Sequence, residues 1–346
     1  MQASSRSLRL MGTIIETRIW HPQAEPILDQ VEELLYLYKD RFSANDLTSE
    51  LMEVNLNAGV QAVPVADDLY ELIKLGKEHS LAQGSFLNIT IGPLVQSWRI
   101  GFSDAKLPTQ EMISEKLQLI NPRDIELDDE EQTVYLKKEG MAIDLGALAK
   151  GYVADKIVDF LKRIGVEAGL INLGGNVLTF GQAPHNADGY WRIGIQDPQK
   201  PRGENALVLK IGKESVVTSG IYERTLTVNG KTYHHILSSE TGYPIESQLA
   251  SLTIVSKQSV DGEIWTTRLF GQEITRIYKM VEETDGIEAV LIGLDGRILV
   301  TSGLSEKVLA GKEAGKERIS DSLGSPSRGG FGARVTSDLA SGASVL

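Results

Sequence analysis

The sequence predicts an α+β fold, with mixed sheets flanked by helices and an extended C-terminal tail. Three observations carry this. Strand-like segments cluster, above all between residues 191 and 256, instead of alternating one by one with helices as in a doubly wound parallel sheet. No internal repeat divides the chain. Hydrophobic residues make up 41% of the 346 residues, enough for a sizeable core in one elaborate domain or two ordinary ones.

In chain order, residues 10–20 alternate like a strand and Pro26 opens a helical pattern to Phe42, with Ile27, Val31, Leu34, Leu35 and Tyr38 at helical spacing. Short helices are expected over Ser49–Asn57 and Thr109–Ile120, and an amphipathic one over Asp67–Gln83. Residues 85–100 are apolar, with Gly92-Pro93 as a breaker. Thr133–Leu136 and Met141–Ile143 read as a hairpin, and Gly146–Ile164 as a long helix. Two strands surround Gly174-Gly175. Further strands follow at 191–195, 206–211, 215–218, 224–228 and 233–237, with Asn229-Gly230 as a hairpin turn, and then at 249–256. Helices at 264–271 and 273–285 precede a last hairpin around Asp295-Gly296.

The chain carries 35 Lys and Arg against 47 Asp and Glu, a formal net charge of −12. Neutralising nucleic-acid phosphates needs clustered cations, and no such cluster exists, so no nucleic-acid partner is expected. The absence of cysteine excludes disulfides, thiolate metal sites and cysteine nucleophiles, and 5 His make a His-rich metal cage unexpected. The basic, Ser-rich first ten residues lack a signal-peptide core, and no run approaches a membrane span; the expectation is a cytoplasmic protein with no membrane partner.

Four clusters bear chemistry. Asp144-Leu-Gly-Ala-Leu-Ala-Lys-Gly-Tyr-Val-Ala-Asp155 opens a helix whose free N–H groups suit an anion, although the order of a Walker motif is absent. Leu173-Gly-Gly-Asn176 permits close backbone approach. His234 and His235, adjacent on a strand, point to opposite faces, so at most one faces a given site. Glu263 and Thr267, four apart, share one helical face and together suit a hard cation such as Mg²⁺. Singly, each reads as ordinary structure: close helix packing, a turn, a structural strand histidine, and a helix N-terminus capped by Asp261.

Their order and spacing, however, resemble the ApbE family of FAD:protein FMN transferases. The resemblance runs from about Met11 to Thr301. It includes Met11-Gly-Thr, Phe42-Ser with Ser49-Glu-Leu and Asn55, Thr90-Ile-Gly-Pro-Leu-Val with Trp98, and the Asp144–Tyr152 stretch. It continues through Leu170-Ile-Asn-Leu-Gly-Gly175, Trp191–Pro198, Thr218-Ser-Gly with Tyr222-Glu-Arg224, His235-Ile through Thr241-Gly, and Thr266–Gly271. The resemblance implies a T-fold-related α+β architecture, FAD as substrate, Mg²⁺, and transfer of FMN to a Ser or Thr hydroxyl with AMP leaving. It assigns His235 as the base acting on the acceptor. Met11, Asn55, Asn88, Asp144, Lys150, Gly174, Gly175, Leu237 and Thr241 become FAD contacts, and the Ala147 carbonyl, Glu263 and Thr267 metal ligands. The family has Asp where Glu263 stands, with Asp261 as a nearby alternative. It often has Asp at the positions of Asn88 and Ile221.

The segments are expected to be a 1–9 extension, a 10–312 transferase domain and a 313–346 linker ending in an acceptor-like peptide. Residues 322–346 hold five Gly, six Ser and one acidic residue, Asp338, a composition that favours disorder. Within them, Asp338-Leu-Ala-Ser-Gly-Ala-Ser344 resembles the flavinylation motif D-x-x-(S/T)-G-A-(S/T), which makes Ser344 the expected FMN acceptor and covalent FMN on Ser344 an expected product. The motif is expected to belong either to a piece of a longer reductase or to a substrate peptide joined to the enzyme. The expected protein partner is a flavinylation-motif protein, of fumarate-reductase type or with another FMN-binding domain, modified in cis or in trans. Two other functions fit the same residues: an FAD pyrophosphatase releasing FMN and AMP, and a non-catalytic module that stores FAD or carries FMN.

Overall fold

The computed structural model describes residues 3–311. In chain order the elements are β1 (Ser4–Leu10), β2 (Thr13–Ile19), α1 (Ala24–Phe42), α2 (Glu50–Leu56), β3 (Val63–Pro64), α3 (Asp67–Leu81), α4 (Gly92–Trp98), α5 (Gln110–Leu117), β4 (Ile125–Asp128), β5 (Thr133–Leu136) and α6 (Ala149–Arg163). There follow β6 (Gly169–Leu173), β7 (Asn176–Phe180), β8 (Trp191–Gln196), β9 (Asn205–Ile211), β10 (Ser215–Gly220), β11 (Thr225–Val228), β12 (Lys231–His234), β13 (Leu249–Ser256), α7 (Ser259–Leu269), α8 (Ile274–Glu282), β14 (Ile287–Gly293), β15 (Ile298–Val300) and β16 (Val308–Gly311).

One eight-stranded sheet, in the order β1-β2-β6-β7-β10-β13-β14-β15, forms the spine, and the smaller sheets are β16-β9-β8, β3-β5-β4 and the β11-β12 hairpin. Every pairing within them is antiparallel, so the α+β expectation holds. β13 is buried at each of its residues. The period of two sends Leu252 and Ile254 to one face, against Leu269 and Phe270 of the α7 end and Ile277 of α8. Val255 points the other way, toward Trp191, Ile193 and Leu209 of the three-stranded sheet. The largest core lies under α1, α3 and α6, where Leu28, Leu35, Leu72 and Ile157 meet Ile15 and Ile171 of the sheet.

Several boundaries differ from the sequence reading for identifiable reasons. The strand expected at 10–20 breaks at Met11-Gly12, both at positive φ, into a two-strand hairpin. Residues 4–9, set apart above as part of an extension, thereby join Leu10 in the edge strand. Arg6 on that strand bonds Glu25, Asp29 and Glu32 of α1, which ties the edge down. Gly92-Pro93 starts α4 instead of breaking a helix, because Pro in the first turn has no N–H to satisfy. Met141–Ile143 is not a strand: β5 pairs with β4 and β3 instead. The long helix begins at Ala149, with residues 146–148 in a turn. α7 begins five residues before the expected Ile264.

Candidate functional site

α6 and α7 approach so closely that a Cβ on Gly151 would lie 2.5 Å from the Ser259 carbonyl oxygen and 2.8 Å from Glu263 Cγ. That contact sets the preceding residue of α6, Lys150, beside α7. Its Nζ donates to Glu263 Oε1 at 2.8 Å. Asn176, at the first position of β7, donates from Nδ2 to the same oxygen at 3.0 Å. Glu263 is only 4% exposed, and a carboxylate so buried requires such partners. Asp261 does not cap α7. Asp155 of α6 does so across the interface, accepting from the Ser259 and Val260 N–H groups at 2.7 and 2.9 Å. Burial pushes Asp155 up to about 7, against those two hydrogen bonds.

The segment before α6 is held by backbone capture. The Asn55 amide pairs with Ile143, accepting from its N–H at 2.7 Å and donating to its carbonyl at 3.0 Å. Asp144 N–H donates to the Ile89 carbonyl at 2.8 Å. These bonds replace the strand pairing expected for 141–143. Asp144 Oδ1 accepts from Gly146 N–H at 2.7 Å and folds the 144–148 turn that presents Ala147. Burial raises the Asp144 pKa, opposed by the Gly146 bond and the Arg224 charge. Asn88 caps the short 3₁₀ turn at Ile89–Ile91, accepting from Thr90 N–H and Oγ1.

A further part of the site comes from the β11-β12 hairpin, whose Asn229-Gly230 turn lies at positive φ as its sequence dictates. His235 leaves the end of β12. Its Nδ1 lies 3.3 Å from the Arg224 carbonyl oxygen; a proton there leaves Nε2 as the basic nitrogen. Burial, then the Arg224 cation and more weakly Lys150, push its pKa down to about 4. At that value the imidazole is neutral at pH 7, as a base must be. The following loop is anchored by Trp98, whose Nε1 donates to the Gly242 carbonyl at 2.8 Å within a small core of Leu94, Ile113 and Leu237.

The structure thus joins Lys150 and Glu263 directly. It sets Arg224 and Lys150 within electrostatic reach of His235, and Arg224 within reach of Asp144. Met11 sits at the β1-β2 turn at positive φ. Gly174 and Gly175 make the β6-β7 turn, and a Cβ on Gly174 would strike Thr13 Oγ1 at 2.1 Å. Thr241 lies exposed in the Ser238–Tyr243 turn, and Leu237 is buried in the small core with Trp98. Asn55 spends its amide on the main chain. Ile221 packs against the α7-α8 core. Ser344 lies outside the described residues. Sequence reasoning gave no role to Arg224, Asn176 or Asp155. All three lie inside quoted motifs, but the partners of Asp155 are 104 and 105 residues away on α7.

The Ala147 carbonyl, the Glu263 carboxylate and the Thr267 hydroxyl are all oxygen donors, the set a hard divalent cation takes. Both hydrogen bonds to Glu263 fall on Oε1, and the Thr267 hydroxyl forms none among the described residues. The donor chemistry therefore fits Mg²⁺. Among the described residues no group of three or more His, Cys, Asp and Glu gathers to hold a metal. A cation held by one carboxylate keeps most of its positive charge for an anionic substrate.

The ApbE family model matches residues 11–291. An FAD:protein FMN transferase of Klebsiella pneumoniae (strain 342) is 38% identical over 298 residues, covering 86% of this chain and 92% of the relative. One of Treponema pallidum (strain Nichols) is 32% identical over 321 residues, 88% of each chain. Among solved structures, the ApbE protein of Thermotoga maritima superposes with a TM-score of 0.81 at 24% identity, covering 88% of this chain and 99% of that one. The flavin transferase ApbE of Vibrio cholerae gives 0.76 at 23% identity, covering 88% and 99%. These two share the fold.

Proposed function

The chain belongs to the ApbE family and is an FAD:protein FMN transferase; on that premise we propose how its residues carry out the transfer and where the FMN goes. The observation that carries the reading is the convergence of Lys150, Glu263 and Asn176 at the α6-α7 contact, with Thr267 one turn further on the Glu263 face. The Ala147 carbonyl, Glu263 and Thr267 would hold Mg²⁺, and a bound Mg²⁺ would supply positive charge against the FAD pyrophosphate. Lys150 adds a second positive charge there. His235 Nε2 takes the proton of the acceptor hydroxyl. The hydroxyl oxygen forms a bond to the FMN-side phosphorus as the bond to the bridging oxygen breaks, and AMP departs with the electron pair. Positioning and charge neutralisation supply most of the acceleration, as in other phosphoryl transfers. The acceptor is a hydroxyl in a D-x-x-(S/T)-G-A-(S/T) segment, Ser344 of this chain being one, reached in cis or in trans.

Intact-mass spectrometry of the full chain after incubation with FAD and Mg²⁺ tests this. The expected product carries one FMN on Ser344, and Ser344→Ala stays unmodified. FMN on another residue rejects the acceptor. Free FMN and AMP beside unmodified protein make the enzyme a pyrophosphatase, and intact FAD makes it a carrier. Thr267→Val should abolish Mg²⁺-dependent turnover; undiminished turnover rejects the ligand set.

A further inference from the structure

Behind Glu263 lies a short chain of buried polar groups that the transfer reaction does not itself use. Asn176 is 1% exposed, and Ser259 and Ser215 are fully buried. Ser215 Oγ donates to Ser259 Oγ at 2.9 Å, Ser259 Oγ donates to Asn176 Oδ1, and Asn176 Nδ2 donates to Glu263 Oε1 at 3.0 Å. The direction of each bond is determined by the next. A serine hydroxyl that donates to Oδ1 fixes which end of the Asn176 amide is oxygen, and the NH₂ end is then obliged to face Glu263. The elements are separately anchored, since Asn176 begins β7, Ser215 begins β10 and Ser259 begins α7. The chain therefore references the Glu263 carboxylate to the sheet and not only to its own helix.

We propose that Asn176, with its amide oriented by Ser259 and Ser215, is a positioning residue that sets the rotamer of Glu263 for metal binding. The inference rests on the reading of Glu263 as a metal ligand. Two donors on Oε1 fix the plane of the carboxylate and direct Oε2 away from them. Without Asn176, only the flexible Lys150 side chain would hold Oε1, and the longer arm of a glutamate has one more torsion to lose on binding than an aspartate has. Outer-shell partners of metal ligands act in this way, and their loss costs about 10- to 100-fold in metal affinity or activity.

The test measures Mn²⁺ binding by electron paramagnetic resonance on the full chain without FAD, so no turnover is required. Glu263→Gln should remove tight binding. Asn176→Ala should weaken it by about 10- to 100-fold, at a temperature where the variant remains folded. The Mg²⁺ concentration for half-maximal transfer should rise by a similar factor, while kcat recovers at saturating Mg²⁺. Ser259→Ala, which removes one oxygen only, should shift both readouts in the same direction by less and serves if Asn176→Ala does not fold. Wild-type Mn²⁺ affinity in Asn176→Ala, or in Ser259→Ala where that variant stands in, overturns the positioning role when Glu263→Gln has lost binding. Wild-type affinity in Glu263→Gln overturns the metal reading itself, and the inference with it.

Discussion

Lys150 Nζ lies 2.8 Å from Glu263 Oε1, joining the first turn of α6 to the middle of α7 across 113 residues of chain. The carboxylate is buried and the ammonium keeps partial access to water. The pair therefore lies between a surface ion pair, worth little, and a buried one whose rupture strands a charge.

Lys150→Met should destabilise the fold by about 1–3 kcal/mol, since it leaves Glu263 with a single donor. The double variant Lys150→Met/Glu263→Gln should recover part of that loss, because no charge is then left buried. A double-mutant cycle by urea denaturation measures the coupling, and additive losses would show that the contact carries no energy.

Asp155 makes stability depend on pH in a definite direction. Its pKa is raised from an ordinary 3.8 to about 7, so the folded state binds more protons than the unfolded state between those values. Its contribution is fully present at low pH and is lost as pH rises toward 7. Asp155→Asn removes this slope and should gain about 2 kcal/mol relative to wild type between pH 5 and 7.5. Urea midpoints at the two pH values decide it, and a difference independent of pH would contradict it.

His235 is neutral well below pH 7, with its pKa lowered to about 4 by burial and Arg224. The acid limb of kcat/KM, which reports the free enzyme, should therefore fall below the 6.5 of an ordinary histidine. His235→Ala should lower kcat by about 100-fold or more. A rate profile whose acid limb sits at 6.5 or above in the wild type, and persists in the variant, would assign it to another group.

Gly151→Ala ought to help an isolated helix by about 1 kcal/mol. Here the added methyl would meet the Ser259 carbonyl at 2.5 Å. The backbone cannot yield as a side chain would, so α6 and α7 must separate. The variant should lose about 1–3 kcal/mol of stability and, since Lys150 and Glu263 part, most of its transfer activity. Wild-type activity in this variant would show that helix separation does not govern the site.

The sequence disclosed those features whose causes are local. The Asn229-Gly230 hairpin needs only its own two residues to choose its turn, and the apolar spacing of α1 needs only its own face. What it concealed depends on partners far along the chain. Met141–Ile143 has strand-like residues, yet Asn55, 88 positions earlier, takes up the Ile143 backbone. β1 has Arg6 at an inward-leaning position of an edge, and its place becomes legible only once α1 offers three carboxylates to it. In the site, Lys150, Glu263 and Thr267 stand out as motif residues. Asn176 looks like the end of a glycine turn, because nothing in four residues of sequence reveals that its amide meets a carboxylate from another helix.

The Asp155 cap has a consequence in time. Its two N–H partners follow it by 104 and 105 residues. The N-terminus of α7 thus receives its acceptor only after the intervening strands β6 to β13 have been made and a long loop has closed, an entropic cost met before the contact returns any energy. During synthesis α6 is made long before the α7 that packs against it. Until α7 arrives, Lys150 and Asp155 stand without the partners it supplies.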